Sequence, residues 1–312
     1  MSAHPSFLLL GPLVVQGAQG EVPLGGNRQR ILLTMLLLEA NRVVGVERLI
    51  AAIWSDTPPV SARSQVRICV SGLRRQFSAA RVGAAIETHK SGYLLRLPEH
   101  EIDLYCFENL LAQTRSESKT ACRERLVERL RYALQMWRGQ IGAGLDSALL
   151  ESSALKFHED RSAALECRFE LELQLGQYRR IVGELTQHVA EHPFRETLCA
   201  QLMITLHRCG RTAEALSLFR ETRRRLVEDL GIEPGERLRS VEHSILVGDL
   251  DDGPSGPWPA EPIVGSMPER PAGPEECAPG LGPLSMEDRI TLLEQEIAVL
   301  REEQSRVSRQ RR

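Results

Sequence analysis

Aromatic residues make up only 4% of this 312-residue chain. They are not interleaved with basic residues as a base-stacking platform for single-stranded RNA requires. No apolar run approaches the ~18 to 20 residues that span a bilayer, so no membrane partner is expected. The seven cysteines are scattered, odd in number and never spaced C-x-x-C, which excludes a zinc knuckle and argues against a disulfide framework. A reduced, cytoplasmic compartment fits that pattern. Phe7 to Val15 is apolar, but no Lys or Arg precedes it and Pro12 interrupts it, so it reads as buried strand and not as a secretion signal.

Catalytic signatures are missing as well. The phosphate-binding motif G-x-x-x-x-G-K-[ST] does not occur. Gly139 to Gly144 resembles a dinucleotide cradle in composition, but no strand pattern precedes it, so it reads as a loop. His188 and His192 stand four apart with no third ligand at suitable spacing, which leaves a solvated pair. The expectation is a non-enzymatic protein without catalytic residues, cofactor or metal.

The chain also lacks an excess of one charge: its formal net charge is −3. The distribution is uneven, however. Between residues 59 and 96 stand Arg63, Arg67, Arg74, Arg75, Arg81, Lys90 and Arg96 against the acid Glu87. A basic segment inside an acidic protein is the electrostatic footprint of a nucleic-acid site.

The pattern around that segment predicts short strands at Phe7 to Leu10, Leu13 to Val15 and Val22 to Leu24. Helical periodicity follows at Ile31, Met35 and Leu38, and again at Val46, Leu49, Ile50 and Ile53. Pro58-Pro59 closes the second helix, and Ser61 is placed to cap a third that runs to about Phe77. Ile86 to His89 and Tyr93 to Arg96, joined by Lys90-Ser91-Gly92, read as a hairpin. Three helices and a hairpin in this order make a winged helix-turn-helix over residues 1–102.

In the third helix Val66, Val70, Leu73 and Phe77 form an apolar stripe, while Arg63, Arg67, Ser71 and Arg74 repeat at the same spacing on a cationic one. With Ser64 on the same helix, these are the candidate double-stranded DNA contacts: arginine suits guanine edges, and Arg75 and Lys90 suit phosphates. Five phosphate contacts would give a slope of log K against log salt of about −4 to −5.

From 103 to 247 the chain is almost wholly helix-patterned. Breaks at Gly176 and Gly210 lie 34 residues apart, each between two amphipathic helices, which is the tetratricopeptide period. Residues 248–284 are expected to be a disordered linker, since 248 to 283 contain nine Pro and seven Gly. Residues 285–312 carry a heptad seam, with Ile290 and Ile297 at a and Leu293 and Leu300 at d, the pattern of a parallel two-stranded coiled coil. Arg289 facing Glu294 and Glu296 facing Arg301 would reinforce a homodimer. The fold class expected is mainly α: an α+β winged helix, an all-α tetratricopeptide-like domain and a C-terminal coiled-coil-like helix.

Several of these residues carry a resemblance. Arg28-Gln29-Arg30, Ala40 to Val44, Arg48-Leu49-Ile50, Ser61-Ala62-Arg63, Val70 to Arg75 and Ser91-Gly92-Tyr93 resemble the Streptomyces antibiotic regulatory proteins. So do Trp137-Arg138-Gly139, Glu191-His192-Pro193, Gly210-Arg211 and Leu230 to Gly235 in the second half. The resemblance covers about residues 6 to 247 and implies an output-type winged helix joined to a bacterial transcriptional activation domain. It also implies binding to promoter direct repeats, contact with RNA polymerase holoenzyme, and control of a specialised-metabolite (antibiotic) gene cluster. Ser55, Asp56 and Thr57 occupy the loop that touches polymerase in similar output domains; by composition alone it is a Pro-rich connection. Gly72, inside the third helix, either admits a DNA backbone or simply weakens the helix. The competing function class is a non-catalytic protein-interaction scaffold built on the helical repeats.

If the heptad seam dimerises the chain, truncation after Leu250 should halve the mass in sedimentation at micromolar concentration and weaken DNA binding. An unchanged mass and affinity would exclude that role for the tail.

Overall fold

The structure is a computed structural model that describes residues 5–118 and 120–249. The heptad seam lies outside these residues, as does nearly all of the expected linker. All described residues belong to one compact unit, 1–264.

The N-terminal apolar runs form an antiparallel sheet of β1 (Phe7–Leu8), β2 (Val14–Gly17) and β3 (Gly20–Glu21), with Phe7 opposite Val15 and Gln16 opposite Glu21. The strand expected at Val22 to Leu24 does not form. Pro23 has no N–H to give to a ladder, and its carbonyl instead accepts from Gln76 Nε2 at 2.9 Å.

Three helices follow: α1 (Asn27–Leu38), α2 (Val46–Trp54) and α3 (Ala62–Ala80). Every residue of α1 from Ile31 to Leu38 is buried, because other elements surround it. Ser61 does not cap α3. Its φ of −84° and ψ of 6° are not the extended geometry of a cap, and its hydroxyl accepts from Gln65 Nε2.

The wing contains a strand that periodicity did not predict. Val43 and Val44 with Gly45 form β4 (Val43–Gly45), which pairs with β6 (Gly92–Arg96); β6 also pairs with β5 (Ala85–Thr88), giving the antiparallel order β4-β6-β5. Three residues are too few for alternation to register. Pairing on both edges explains Gly92: a Cβ there would lie 1.9 Å from the Val44 carbonyl oxygen.

The second half is helical throughout: α4 (Asp103–Glu117), α5 (Arg123–Gln135), α6 (Ala148–Gln174), α7 (Tyr178–Glu191), α8 (Glu196–Arg208), α9 (Thr212–Arg225) and α10 (Glu236–Val247). Gly176 and Gly210, at φ +67° and +79°, turn α6 into α7 and α8 into α9, the two hairpins of the repeat.

Apolar packing does not divide at residue 102. One cluster of buried side chains runs from Phe7 to Ala164, joining the winged helix to α4, α5 and the first part of α6. A second begins at Leu165, in the middle of α6, and ends at Ile245.

Asp103 links the winged helix to α4. Its carboxylate, 2% exposed as a residue, accepts from the amides of Leu9 at 2.6 Å and Leu10 at 3.1 Å, with Arg138 Nη2 at 3.7 Å. Arg138 in turn donates its amide to Leu10 O and a guanidinium N–H to Pro12 O. Burial pushes the Asp103 carboxyl above its ordinary value, and these partners oppose the shift. A raised value means that the folded chain holds the proton more tightly than the unfolded chain. The linked stabilisation is therefore present below the ordinary carboxyl range and is lost as pH rises through the raised value.

Asp103→Ala removes the acceptor from two buried amides. We expect a loss of about 2–4 kcal/mol in urea unfolding; a loss below about 1 kcal/mol would show that the apolar contacts hold this segment unaided.

Candidate nucleic-acid interface

The amphipathic pattern of α3 is realised in space. Ala62, Val66, Val70, Leu73 and Phe77 are buried, and Phe77 meets Phe7 of β1 edge to face at 5.8 Å between centroids. At 100° per residue, the opposite arc carries Arg63, Ser64, Arg67, Ile68, Ser71, Arg74 and Arg75, all exposed.

The arginines on that arc are not equivalent. Arg74 stands at the edge next to the wing, where Nε and Nη2 donate to the Ile86 carbonyl at 2.8 and 2.6 Å and Nη2 also donates to Thr88 Oγ1 at 2.8 Å. This guanidinium fastens α3 to β5. Arg63, on the same edge one end along, pairs with Glu47 of α2, both side chains being well exposed. Arg67 and Arg75 make no ion pair or hydrogen bond among the described residues. With Ser64 and Ser71 they form the open centre and far edge of the arc.

Wing residues divide in the same way. Arg96 grips Glu87 with two bonds, at 2.6 and 3.2 Å, and this partner holds the Glu87 carboxyl below its ordinary range. The charge of Arg96 is thereby offset. Lys90 sits exposed in the hairpin turn, which is closed by the His89 amide on the Gly92 carbonyl at 2.9 Å.

Two members of this surface escaped the sequence reading. Ile68 is apolar yet 70% exposed, at the far edge of the arc beyond Arg75; periodicity has no place for an apolar residue on a polar stripe. Arg28, at the start of α1, reaches α3 by donating to Gln65 Oε1 at 2.7 Å and lies over the Trp54 ring at 5.4 Å. Such a contact between elements leaves no local sequence signal.

Gly72 faces α1 and not the open arc. A Cβ there would lie 2.7 Å from Gln29 Nε2, the atom that donates to the Cys69 carbonyl at 3.3 Å. The close approach that Gly72 admits is therefore that of the Gln29 carboxamide.

Ser55, at φ 52°, ends α2, and residues 55 to 61 form a wholly exposed connection to α3. The Thr57 amide donates back to Trp54 O at 3.2 Å, a tight turn that leaves Asp56 at its apex. No helix among the described residues is long and apolar enough to cross a membrane.

Known proteins resemble this chain over both of its halves. Residues 20–95 match the family model "Transcriptional regulatory protein, C terminal", and residues 102–246 match "Bacterial transcriptional activator domain". The chain is 34% identical over 262 residues to the regulatory protein DnrI of Streptomyces peucetius, covering 80% of this chain and 94% of that protein. It is 34% identical over 247 residues to the regulatory protein AfsR of Streptomyces coelicolor, of which it spans 24%. The solved structure of Mycobacterium tuberculosis EmbR, in complex with a low-affinity phosphopeptide, superposes with a TM-score of 0.74 at 34% identity; the match covers 80% of this chain and 67% of that one.

The division among the arginines predicts a split between stability and binding. Arg74→Ala removes bonds that join α3 to β5 and should lower stability by about 1–2 kcal/mol in urea unfolding. Arg67→Ala should change it by less than about 0.5 kcal/mol. Equal effects of the two would contradict the assignment.

Proposed function

The chain belongs to the Streptomyces antibiotic regulatory protein family of transcriptional activators, and from that footing we propose that it switches on a specialised-metabolite gene cluster by binding direct repeats in promoter DNA and recruiting RNA polymerase holoenzyme. The observation that carries this reading is the open face of α3, where Ser64, Arg67, Ser71 and Arg75 are exposed beside the wing residue Lys90. A helix of this kind fits the major groove, with the Arg67 fork directed at guanine O6 and N7 and with Arg75 and Lys90 at phosphates.

Arg63 and Arg74 enter DNA contact only by rearranging their protein bonds, so the cations available without rearrangement are Arg67, Arg75 and Lys90. With Arg67 on a base edge, Arg75 and Lys90 as phosphate contacts lower the expected salt slope to about −2. The alternative of a pure protein-interaction scaffold leaves this unpaired cationic face without a purpose.

Direct repeats call for two molecules in head-to-tail order. The heptad residues Ile290, Leu293, Ile297 and Leu300 are proposed to hold them together, since a linker of this length reaches about 33 Å as a flexible coil, close to one turn of DNA. Asp56, with Ser55 and Thr57 beside it, is proposed to touch the polymerase from the exposed loop between α2 and α3.

Gel shifts on the DNA upstream of the chain's own gene and of its neighbours, titrated with salt, test the binding claim. Arg67→Ala should weaken binding by about 1–3 kcal/mol, and Arg75→Ala should make the salt slope shallower by about 0.9; neither change occurring would remove the interface. In transcription assays on the same promoter, Asp56→Ala should bind normally and lose activation. Full activation by that variant would exclude the loop as a polymerase contact.

A further inference from the structure

In the helical domain a cavity of about 370 Å³ opens between α5, α6 and α7. Its lining includes the guanidiniums of Arg131, Arg161, Arg168 and Arg180 together with His188, and Glu184 as the only acid among the lining residues. Leu165 and Ile181 supply apolar surface beside them.

Two of the four arginines are committed to protein partners. Arg131 is bonded to Glu172 Oε1, and Arg168 Nη2 donates to Glu184 Oε1 at 2.7 Å. The other two are not: Arg161 and Arg180 make no ion pair or hydrogen bond among the described residues. Arg161 is held against the Trp137 ring at 5.0 Å, a packed position and not a wandering surface one. Its Nε, the Nε of Arg168 and the Nδ1 of His188 are buried without a hydrogen bond, the last two lying 3.8 Å from Glu172 Oε2 and 3.5 Å from Glu191 Oε2.

The acids nearby do not cancel this field. Glu172 is not among the lining residues and is taken up by Arg131 and Arg168, while Glu184 and Glu191 are about half exposed at 47% and 48% and so are screened by solvent. Burial draws the Arg161 guanidinium and the His188 imidazole below their ordinary values, although Glu184 and Glu191 stand within 4 Å of the His188 ring and oppose the shift there.

We propose that this cavity is a binding site for a small polyanion bearing phosphate or carboxylate groups, held by the unpaired forks of Arg161 and Arg180. Guanidinium forks match both groups in bidentate geometry, and the volume suits a molecule the size of pyrophosphate or citrate. The site stands where α6 passes from the first apolar cluster to the second, between Ala164 and Leu165. An anion seated there bridges three helices across that change of packing, which places it to govern how the repeat hairpins are held against the DNA-binding half.

Calorimetric titration of the full chain with pyrophosphate and, separately, with citrate tests the site. At least one of them should bind saturably at a single site. Arg180→Ala, which removes an exposed side chain with no structural bonds, should weaken that binding about tenfold without changing the melting temperature. Arg67→Ala, on the DNA-binding face, should leave it unaltered. Absence of saturable binding by both anions overturns the proposal, as does an Arg180→Ala variant that binds like the unaltered chain. Loss on Arg67→Ala in place of Arg180→Ala would put the anion on α3 and overturn it equally.

Discussion

The seating of α3 depends on a carboxylate 94 and 93 positions away from its two amide donors. Asp103 holds the backbone of Leu9 and Leu10, and beside it Phe7 bridges to Ile102. Phe7 is then in place to meet Phe77 near the end of α3. An isolated winged helix ending before Asp103 would lose the acceptor for two buried amides, each worth about 1–3 kcal/mol when left unsatisfied. The DNA-binding half is thus finished by the first residue of the helical half, which explains why their apolar packing is continuous through Ala164.

With α3 fixed from below, its upper arc is free to specialise, and the two edges of that arc do different work. The edge facing the wing and α2 is used for attachment: Arg74 reaches β5 and Arg63 reaches Glu47. An arginine at such an edge always has carbonyl or carboxylate oxygens within reach, so its charge is partly spent inside the protein. Residues at the centre of the arc, such as Arg67 and Ser71, are exposed and make no ion pair among the described residues.

The periodic parts of the molecule were legible in the sequence, and the pairwise parts were not. Val66, Val70, Leu73 and Phe77 announce α3 because burial imposes a helical repeat, and Gly176 and Gly210 announce the hairpins because a left-handed turn selects glycine. By contrast, β4 is invisible: three residues paired to a strand 49 positions on leave no local pattern. The bonds of Arg74 to β5 were hidden for a related reason. Spacing placed it on the stripe correctly, but whether a guanidinium meets a phosphate or a carbonyl of its own wing depends on what lies across the gap. Gly72 is the same case, its neighbour being Gln29, 43 positions earlier.

The one long helix, α6, has to serve two cores, and a change of core along a single helix carries a risk of slippage, because apolar contacts have no direction. The chain places its buried ionic network at that point. Glu172, 1% exposed, takes Arg131 of α5, and Arg168, four residues earlier, takes Glu184 of α7. Burying such charges costs more desolvation than a hydrophobic replacement would, so added stability is a poor explanation for them. Direction is a better one. Each guanidinium donates to its carboxylate in the plane of its fork, so the network fixes the rotation of α6 against α5 and α7 where leucines alone would tolerate several. The bond from Ser147 Oγ to the Ala52 carbonyl at 2.7 Å does the same at the start of the helix, against α2. α6 is thereby fixed by directional bonds at both places, to α2 at its start and to α5 and α7 beyond the change of core.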